Sequence, residues 1–386
     1  MRKIKVIADD KIPFLKGALE GRAEIAYLPG NKITAADLND ADALLIRTRT
    51  QCNELLLKGT PVKFIATATI GYDHIDTEFC RRNDIFWTNA PGCNSSSVEQ
   101  YIVSALLTLA LKQNLKLSEK TMGIIGVGNV GSKVARAARI LGIRVLLNDP
   151  PRAIAEGLDG FESLEKISRE ADIISFHVPL NYEGAYKTAG MANSDFFSGL
   201  KKNAILINSS RGEVINESDL QAAVNAGKIG SLVLDVWNNE PNINVRLMEA
   251  ATLVSPHIAG YSTDGKANGT SMSIKALSNY FNLGLGDWSP ENIPLPQNQQ
   301  IIADCTGKTE IEILHEVYTQ TYDITTDDET LRENPDGFES QRGGYRIRRE
   351  PHAFSVKLLN NSWPGLEEKF EKLGFSVLAP NCFCEI

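Results

Sequence analysis

The stretch Gly123-Ile-Ile-Gly126-Val-Gly128-Asn129-Val130-Gly131 constrains this chain most, because it joins a strand to a helix through glycines at fixed offsets. Met122 to Ile125 read as a short buried strand. Val130, Val134, Ala137, Ala138 and Leu141 then recur at helical spacing. Gly142 ends that helix, and Arg144 to Leu147 form a second strand that stops at Asn148-Asp149. Gly126 allows the tight turn, Gly128 lets backbone approach a pyrophosphate, and Gly131 lets the helix pack closely on its strand. The helix start at Asn129 and Val130 offers N–H groups and a positive dipole end to phosphates. Asp149, about twenty residues past the last glycine, suits a ribose 2′-hydroxyl and would repel a 2′-phosphate. The unit predicts a dinucleotide site, with NAD rather than NADP as cofactor.

Around this unit the chain reads as alternating α and β. Short apolar strands at Ile4 to Ala8, Ile25 to Leu28, Ala43 to Ile46, Phe64 to Ala68 and Ile85 to Thr88 precede it, separated by helical or loop segments. A helix from about Ser95 to Lys112 leads in. Strands at Ile173 to Phe176, Ala204 to Ile207, Leu232 to Val236 and Thr252 to Val254 follow, then a helix-like stretch from about Thr263 to Phe281. That alternation implies parallel sheets with covering helices. The last helix has no obvious place except on the first domain, so the dinucleotide domain reads as an insertion with a cleft beside it. Three prolines within Pro290 to Pro296 mark a linker. Beyond it lies a small α+β module with an Arg-rich stretch and a strand-helix-strand from Phe354 to Leu378.

Composition excludes several classes. A net charge of -8 over 386 residues argues against a nucleic-acid footprint, and no run approaches the roughly eighteen apolar residues of a membrane span. Lys3 leads straight into a strand with no signal-like apolar segment, which predicts a cytoplasmic protein. Of six scattered cysteines only Cys382 and Cys384 are close, without a metal-like partner set, so no metal is expected.

Chemistry is expected beyond the carboxyl ends of strands. There the chain places Asn208-Ser209-Ser210-Arg211-Gly212, then Asp235 with Trp237-Asn238-Asn239-Glu240-Pro241, then Ser255-Pro256-His257-Ile258-Ala259-Gly260-Tyr261. One Arg, one Glu and one His each follow a strand, and together they point to a single reaction centre. His177, before Val178-Pro179, reads as structural, and His74 as an ordinary polar residue.

With the glycine loop, the N-x-x-R-G turn, the Glu before Pro and the S-P-H-I-A-G run, the chain resembles the D-2-hydroxyacid dehydrogenase family from about residue 40 to 285. Asn148-Asp149-Pro150-Pro151-Arg152, Ala66 to Asp76, Ala90 to Asn94, His257 to Ser262 and the C-terminal Tyr345 to Glu350 resemble one branch of it. That branch oxidises a small four-carbon 2-hydroxy acid phosphorylated at its far end, in vitamin B6 synthesis, and its extra module makes a homodimer. The resemblance implies two doubly wound parallel-sheet domains and a small C-terminal α+β domain. These are a flavodoxin-like substrate domain (1–93 and 258–289), a Rossmann NAD domain (94–257) and a dimerisation domain (290–386). It implies Arg211, Glu240 and His257 as catalytic residues and Thr48, Thr69 and Tyr261 at the substrate. At the cofactor it implies Asp149, Val178, Ser209, Asp235 and Gly260, beside Gly126, Gly128, Asn129, Val130, Gly131, Ser210 and Arg211.

The residue types fit that chemistry. An imidazole at His257 suits a base near neutral pH, and a carboxylate at Glu240 favours the imidazolium formed during oxidation. Arg211 is a permanent forked cation for a carboxylate and a developing carbonyl oxygen. Arg47 and Arg49, at the end of the strand Ala43 to Ile46, are the cations expected at the far phosphate. Arg346, Arg348 and Arg349 are a second set, read first as a solvated face or an interface. Two other readings share these residues: a phosphoglycerate or hydroxypyruvate/glyoxylate dehydrogenase, and a non-catalytic NAD-sensing interaction protein.

Overall fold

The computed structural model describes residues 3–157 and 159–379; Cys382 and Cys384 lie outside them. The described residues form two compact units, one within 3–94 and 262–294 and one within 95–261 and 295–379.

In the first unit, β1 (Lys5–Asp9), β2 (Glu24–Leu28), β3 (Ala43–Ile46), β4 (Phe64–Thr67) and β5 (Phe86–Thr88) form a parallel sheet in the order β2-β1-β3-β4-β5. This is the flavodoxin-like order. Alternate strand residues go to opposite faces, as period-two geometry requires. Ile7, Leu44, Ile46 and Ile65 enter one apolar cluster, while Val6, Ala8, Ala43, Leu45, Phe64 and Ala66 enter the other. Ile274 and Leu277 of the helix Thr263–Phe281 complete the second cluster. That is why this helix belongs with the first unit although it follows the dinucleotide domain.

The second unit carries β6 (Thr121–Ile125), β7 (Arg144–Asn148), β8 (Ile173–Phe176), β9 (Ala204–Asn208), β10 (Ile229–Leu234) and β11 (Leu253–Val254). All pair in parallel in the order β11-β10-β9-β8-β6-β7, so the order reverses between β6 and β8. Ile205, Ile207 and Val233 face one core, and Leu206, Leu232 and Leu234 face the other. Strands buried on both faces read as continuous apolar runs, which is how the sequence shows them.

A third parallel sheet, β12-β13-β14 (Gln300–Asp304, Ser355–Leu359, Ser376–Val377), belongs to the C-terminal module. Within the second unit this module shares a core with the dinucleotide domain. The helix Ser95–Lys112 is buried from Val98 to Ala110 because Ile313, Leu314, Val317 and Tyr318 of the helix Glu310–Thr321 join the same cluster as its own apolar residues. Two helices, Ile324–Glu333 and Phe338–Gly343, fill the segment read from sequence only as Arg-rich.

Candidate functional site

The glycine loop forms as its residue types demand. Gly126 has φ +85°, and a side chain on Gly131 would lie 1.9 Å from the Gly126 carbonyl oxygen. Nothing stands within 4 Å of a side chain built on Gly128, so backbone is open there to a phosphate. Asn129 and Val130 open the helix Asn129–Ile140. Asp149 ends β7 and caps the helix Pro150–Glu156, accepting from Arg152 N at 3.1 Å and Val127 N at 2.8 Å. It thereby ties the second strand to the loop. Arg152 is engaged by Glu156 through two hydrogen bonds, of 2.6 and 2.8 Å.

Beyond β9, the hydroxyl of Ser209 is buried without a partner in the protein, an orphan donor at the strand end where a dinucleotide is expected. Ser210 is buried and bonds to Asn208 Oδ1 through both its N–H and its hydroxyl. The Arg211 guanidinium donates to the Ser210 carbonyl at 2.7 Å. A side chain on Gly212 would meet the Trp237 carbonyl carbon at 2.1 Å, so the turn carrying Arg211 lies directly on the loop carrying Glu240. Half-buried Val178 adjoins His177 at the end of β8. Burial drives the His177 imidazole down to about 3, leaving it neutral and bonded to Ser175. Open backbone at Gly128, the capping Asp149 and the orphan Ser209 hydroxyl together suit NAD.

Glu240 and His257 meet directly, with Oε2 2.7 Å from Nδ1. Glu240 Oε1 accepts from Trp237 N at 3.0 Å. Burial alone would raise the Glu240 carboxyl, but the His257 hydrogen bond and charge, the Trp237 N–H and the Arg342 charge outweigh it and hold it below the usual carboxylate range. His257 has φ +56°, an unusual conformation for a side-chain-bearing residue. The loop after it is held from within by Asp235, which is 1% exposed and accepts from Ser255 Oγ, Ile258 N and Ala259 N. Burial pushes the Asp235 carboxyl up, and those donors hold it back. Gly260 lies half-buried between this anchored segment and Tyr261.

The C-terminal module supplies the outer grip. Arg348 is 2% exposed and donates to Ser97 O at 2.6 Å, to Gln100 Oε1 at 2.9 Å, and to Ile258 O and Ala259 O at 3.3 Å, with the Tyr322 ring 3.7 Å from its guanidinium carbon. This corrects the reading of Arg348 as part of a solvated face: it lies buried where the C-terminal module meets the dinucleotide domain. Buried acceptors from four sequence positions satisfy its donors inside one unit. Arg346 pairs with buried Asp327, and Arg349 is 8% exposed. Arg342, which sequence reasoning passed over, donates to the Tyr261 hydroxyl at 3.0 Å.

In the first unit, Arg47, Thr48 and Arg49 lie in the turn after β3 rather than in the strand, so strand alternation does not decide their direction. Arg47 donates to Lys11 O at 3.1 Å. Burial and the nearby Arg47 charge lower the Lys266 ammonium, a cation that no motif in the sequence places there. Thr69 is linked through Thr67 to His74, by contacts of 2.7 and 3.2 Å, so His74 buttresses a residue expected at the substrate. Tyr72 stays half exposed, tilted on Trp87. Among the described residues no group of His, Cys, Asp or Glu is arranged to hold a metal ion, and no helix is long and apolar enough to cross a membrane.

The D-isomer specific 2-hydroxyacid dehydrogenase NAD-binding domain matches residues 107–259, and a domain of unknown function matches 293–374. The chain is 50% identical over 354 residues to an erythronate-4-phosphate dehydrogenase of Bacteroides thetaiotaomicron, spanning 92% of this chain and 99% of that one. It is 40% identical over 356 residues to the erythronate-4-phosphate dehydrogenase of Porphyromonas gingivalis, spanning 92% and 95%. Among solved structures it is similar to a D-lactate dehydrogenase from Aquifex aeolicus complexed with NAD and lactic acid. That likeness has a TM-score of 0.60 at 26% identity, over 72% of this chain and 95% of the other.

Proposed function

Because the chain belongs to the erythronate-4-phosphate dehydrogenases of the D-isomer specific 2-hydroxyacid dehydrogenase family, we propose that it oxidises 4-phospho-D-erythronate to (R)-3-hydroxy-2-oxo-4-phosphooxybutanoate in vitamin B6 synthesis. The observation that carries the chemistry is the 2.7 Å contact between Glu240 and His257. With Nδ1–H donated to the carboxylate, Nε2 of His257 is the nitrogen that takes the proton of the substrate 2-hydroxyl. Glu240, ionised because His257 and its other donors outweigh its burial, stabilises the imidazolium that results. Arg211 holds the substrate carboxylate and polarises the carbonyl oxygen as it forms. NAD held at the glycine loop would supply the acceptor for the hydride that leaves C2.

The cofactor is held by the loop Gly126 to Gly131, by Asp149 and by Val178, Ser209, Ser210, Asp235 and Gly260. Arg152 is engaged by Glu156, which supports a preference for NAD over its 2′-phosphorylated counterpart. Arg47 and Arg49 serve the phosphate end, with Thr48, Thr69 and Tyr261 as further substrate contacts. The C-terminal module also serves a homodimer. Ile302 and Ile347 stand 55% and 62% exposed on it and are the side chains we assign to contact with a second copy of the chain. The buried cysteines at 52, 80, 93 and 305 are free thiols, which suits the cytoplasm.

The test is NADH formation by the purified protein with 4-phospho-D-erythronate, 3-phospho-D-glycerate, D-glycerate and glyoxylate reduction in parallel. Highest kcat/KM on the first supports the reading. Absence of turnover with it overturns the reading.

A further inference from the structure

The hydroxyl of Tyr261 accepts from Nη2 of Arg342 at 3.0 Å, and the guanidinium carbon of Arg342 lies 5.6 Å from the Tyr261 ring centre and 5.8 Å from that of Phe338. Arg342 sits on the helix Phe338–Gly343 of the C-terminal module, 81 positions from Tyr261 in sequence. Its charge also reaches Glu240, whose carboxyl it helps to hold down. A permanent cation thus stands beside the catalytic Glu–His pair, on a module with no assigned activity.

The partners of Arg342 do not use it up. Nη1 pairs with Glu339 at 2.9 Å, whereas Nε is buried with no hydrogen-bond partner. The neighbouring Glu240 carboxylate is committed to His257 on one oxygen and to Trp237 N on the other. A buried N–H of a charged group left without an acceptor is unfavourable unless a ligand supplies one. The side chain is 21% exposed, and each Nη has a second N–H beyond the one given to Glu339 or Tyr261, so a compact anionic group can reach the open side of the fork. A phosphate monoester fits: it carries nearly two negative charges and three strong acceptor oxygens, and a guanidinium fork matches its geometry.

We propose that Arg342 is a specificity-determining residue that binds the phosphate end of the substrate beside the Tyr261 hydroxyl. The role rests on the reaction proposed above, in which Arg211 takes the carboxylate. Arg348 supports Arg342 by fixing the module on the loop that precedes Tyr261. The C-terminal module is then part of substrate selection within its own chain, apart from any part in assembly.

The experiment compares the full-length wild type with Arg342→Gln and Arg342→Lys on 4-phospho-D-erythronate and on unphosphorylated D-erythronate. Inorganic phosphate serves as a competitive inhibitor, and NADH binding and melting temperature report folding. Arg342→Gln is expected to raise KM for the phosphorylated acid roughly ten- to a hundredfold, the loss typical of a charge-assisted contact. The inhibition constant for phosphate should rise with it, while kcat/KM on D-erythronate falls far less, by only what a weaker hold on Glu240 costs, and NADH binding stays near wild type. Arg342→Lys should recover part of the loss. Equal losses on both acids, or an unchanged KM with wild-type NADH binding, would overturn the role and leave the reaction standing. Failure of the wild type to oxidise 4-phospho-D-erythronate would overturn the reaction and this role together.

Discussion

Replacing Arg348 by Met separates packing from positioning at the loop that carries His257. Met keeps much of the apolar stem and removes the fork. The structure assigns that fork two short hydrogen bonds, 2.6 Å to Ser97 O and 2.9 Å to Gln100 Oε1, two longer ones to Ile258 O and Ala259 O, and the Tyr322 ring face. Hydrogen bonds from a charged donor contribute about 1.5–3 kcal/mol each, and part of that is offset because the guanidinium no longer has to be desolvated. A net loss of about 3 kcal/mol follows, or a fall on the order of 6–12 °C in the melting of a unit this size. The Ile258 and Ala259 carbonyls lie immediately after His257, so loosening them should move its imidazole. Misplacement by about 1 Å can cost a hundredfold in rate. Steady-state kinetics well below the melting point, beside thermal denaturation followed by circular dichroism, should therefore show kcat reduced at least tenfold or so. NADH affinity should be retained, since the glycine loop is not gripped by Arg348. A variant that melts early but keeps wild-type kcat at low temperature would show that the grip stabilises without positioning. One that melts with the wild type would refute both.

Four further outcomes are expected. His257→Asn and Arg211→Met should each lower kcat on the order of a hundredfold or more, with NADH binding intact in the His257 variant, as single-turnover and fluorescence titration would show. Gly131→Ala should abolish NADH binding in the same titration, because its methyl group would sit 1.9 Å from the Gly126 carbonyl oxygen. The Glu240 carboxyl is lower in the folded protein than in the unfolded chain, so its stabilisation is complete above the ordinary carboxylate value and lost as pH falls through the folded one. The melting difference between wild type and Glu240→Gln should accordingly shrink in acid, and a constant difference would contradict the pairing. The homodimer proposed above requires that the wild type sediment as a dimer and that Ile302→Lys with Ile347→Lys sediment as a monomer at the same concentration.

The dinucleotide unit was legible because its requirements are written into single residues. Only glycine tolerates φ +85° at position 126 and the 1.9 Å approach at 131, so the pattern states the geometry. The strand ends bearing Arg211, Glu240 and His257 were legible for a similar reason, since polar residues interrupt runs that are otherwise apolar on both faces. The helices Ile324–Glu333 and Phe338–Gly343 were not. The first buries only Ile324, Asp327 and Leu331 and the second only Phe338, too few to set a helical period. Arg348 was misread because charge in sequence implies exposure, whereas its acceptors at positions 97, 100, 258 and 259 become neighbours only on folding. Lys266 and Arg342 stayed hidden by the same logic, each defined by a partner remote in sequence.

That distribution has a physical sense. A histidine held at φ +56° sits in a conformation that side-chain-bearing residues seldom adopt, and it persists only where its surroundings over-determine it. Here the restraint comes from three directions within one unit. Asp235 binds the N–H groups of Ile258 and Ala259, Ser97 Oγ binds the Ala259 carbonyl at 2.8 Å, and Arg348 binds the Ile258 and Ala259 carbonyls. Both donor and acceptor sides of the two peptides following His257 are thus tied, one from the dinucleotide sheet and one largely from the C-terminal module. Losing either side leaves the other to hold a strained residue alone. A C-terminal module that shares its core with the helix Ser95–Lys112 and fixes these carbonyls is therefore a structural condition of the loop that carries His257, and changes that loosen it should reach kcat before they reach cofactor binding.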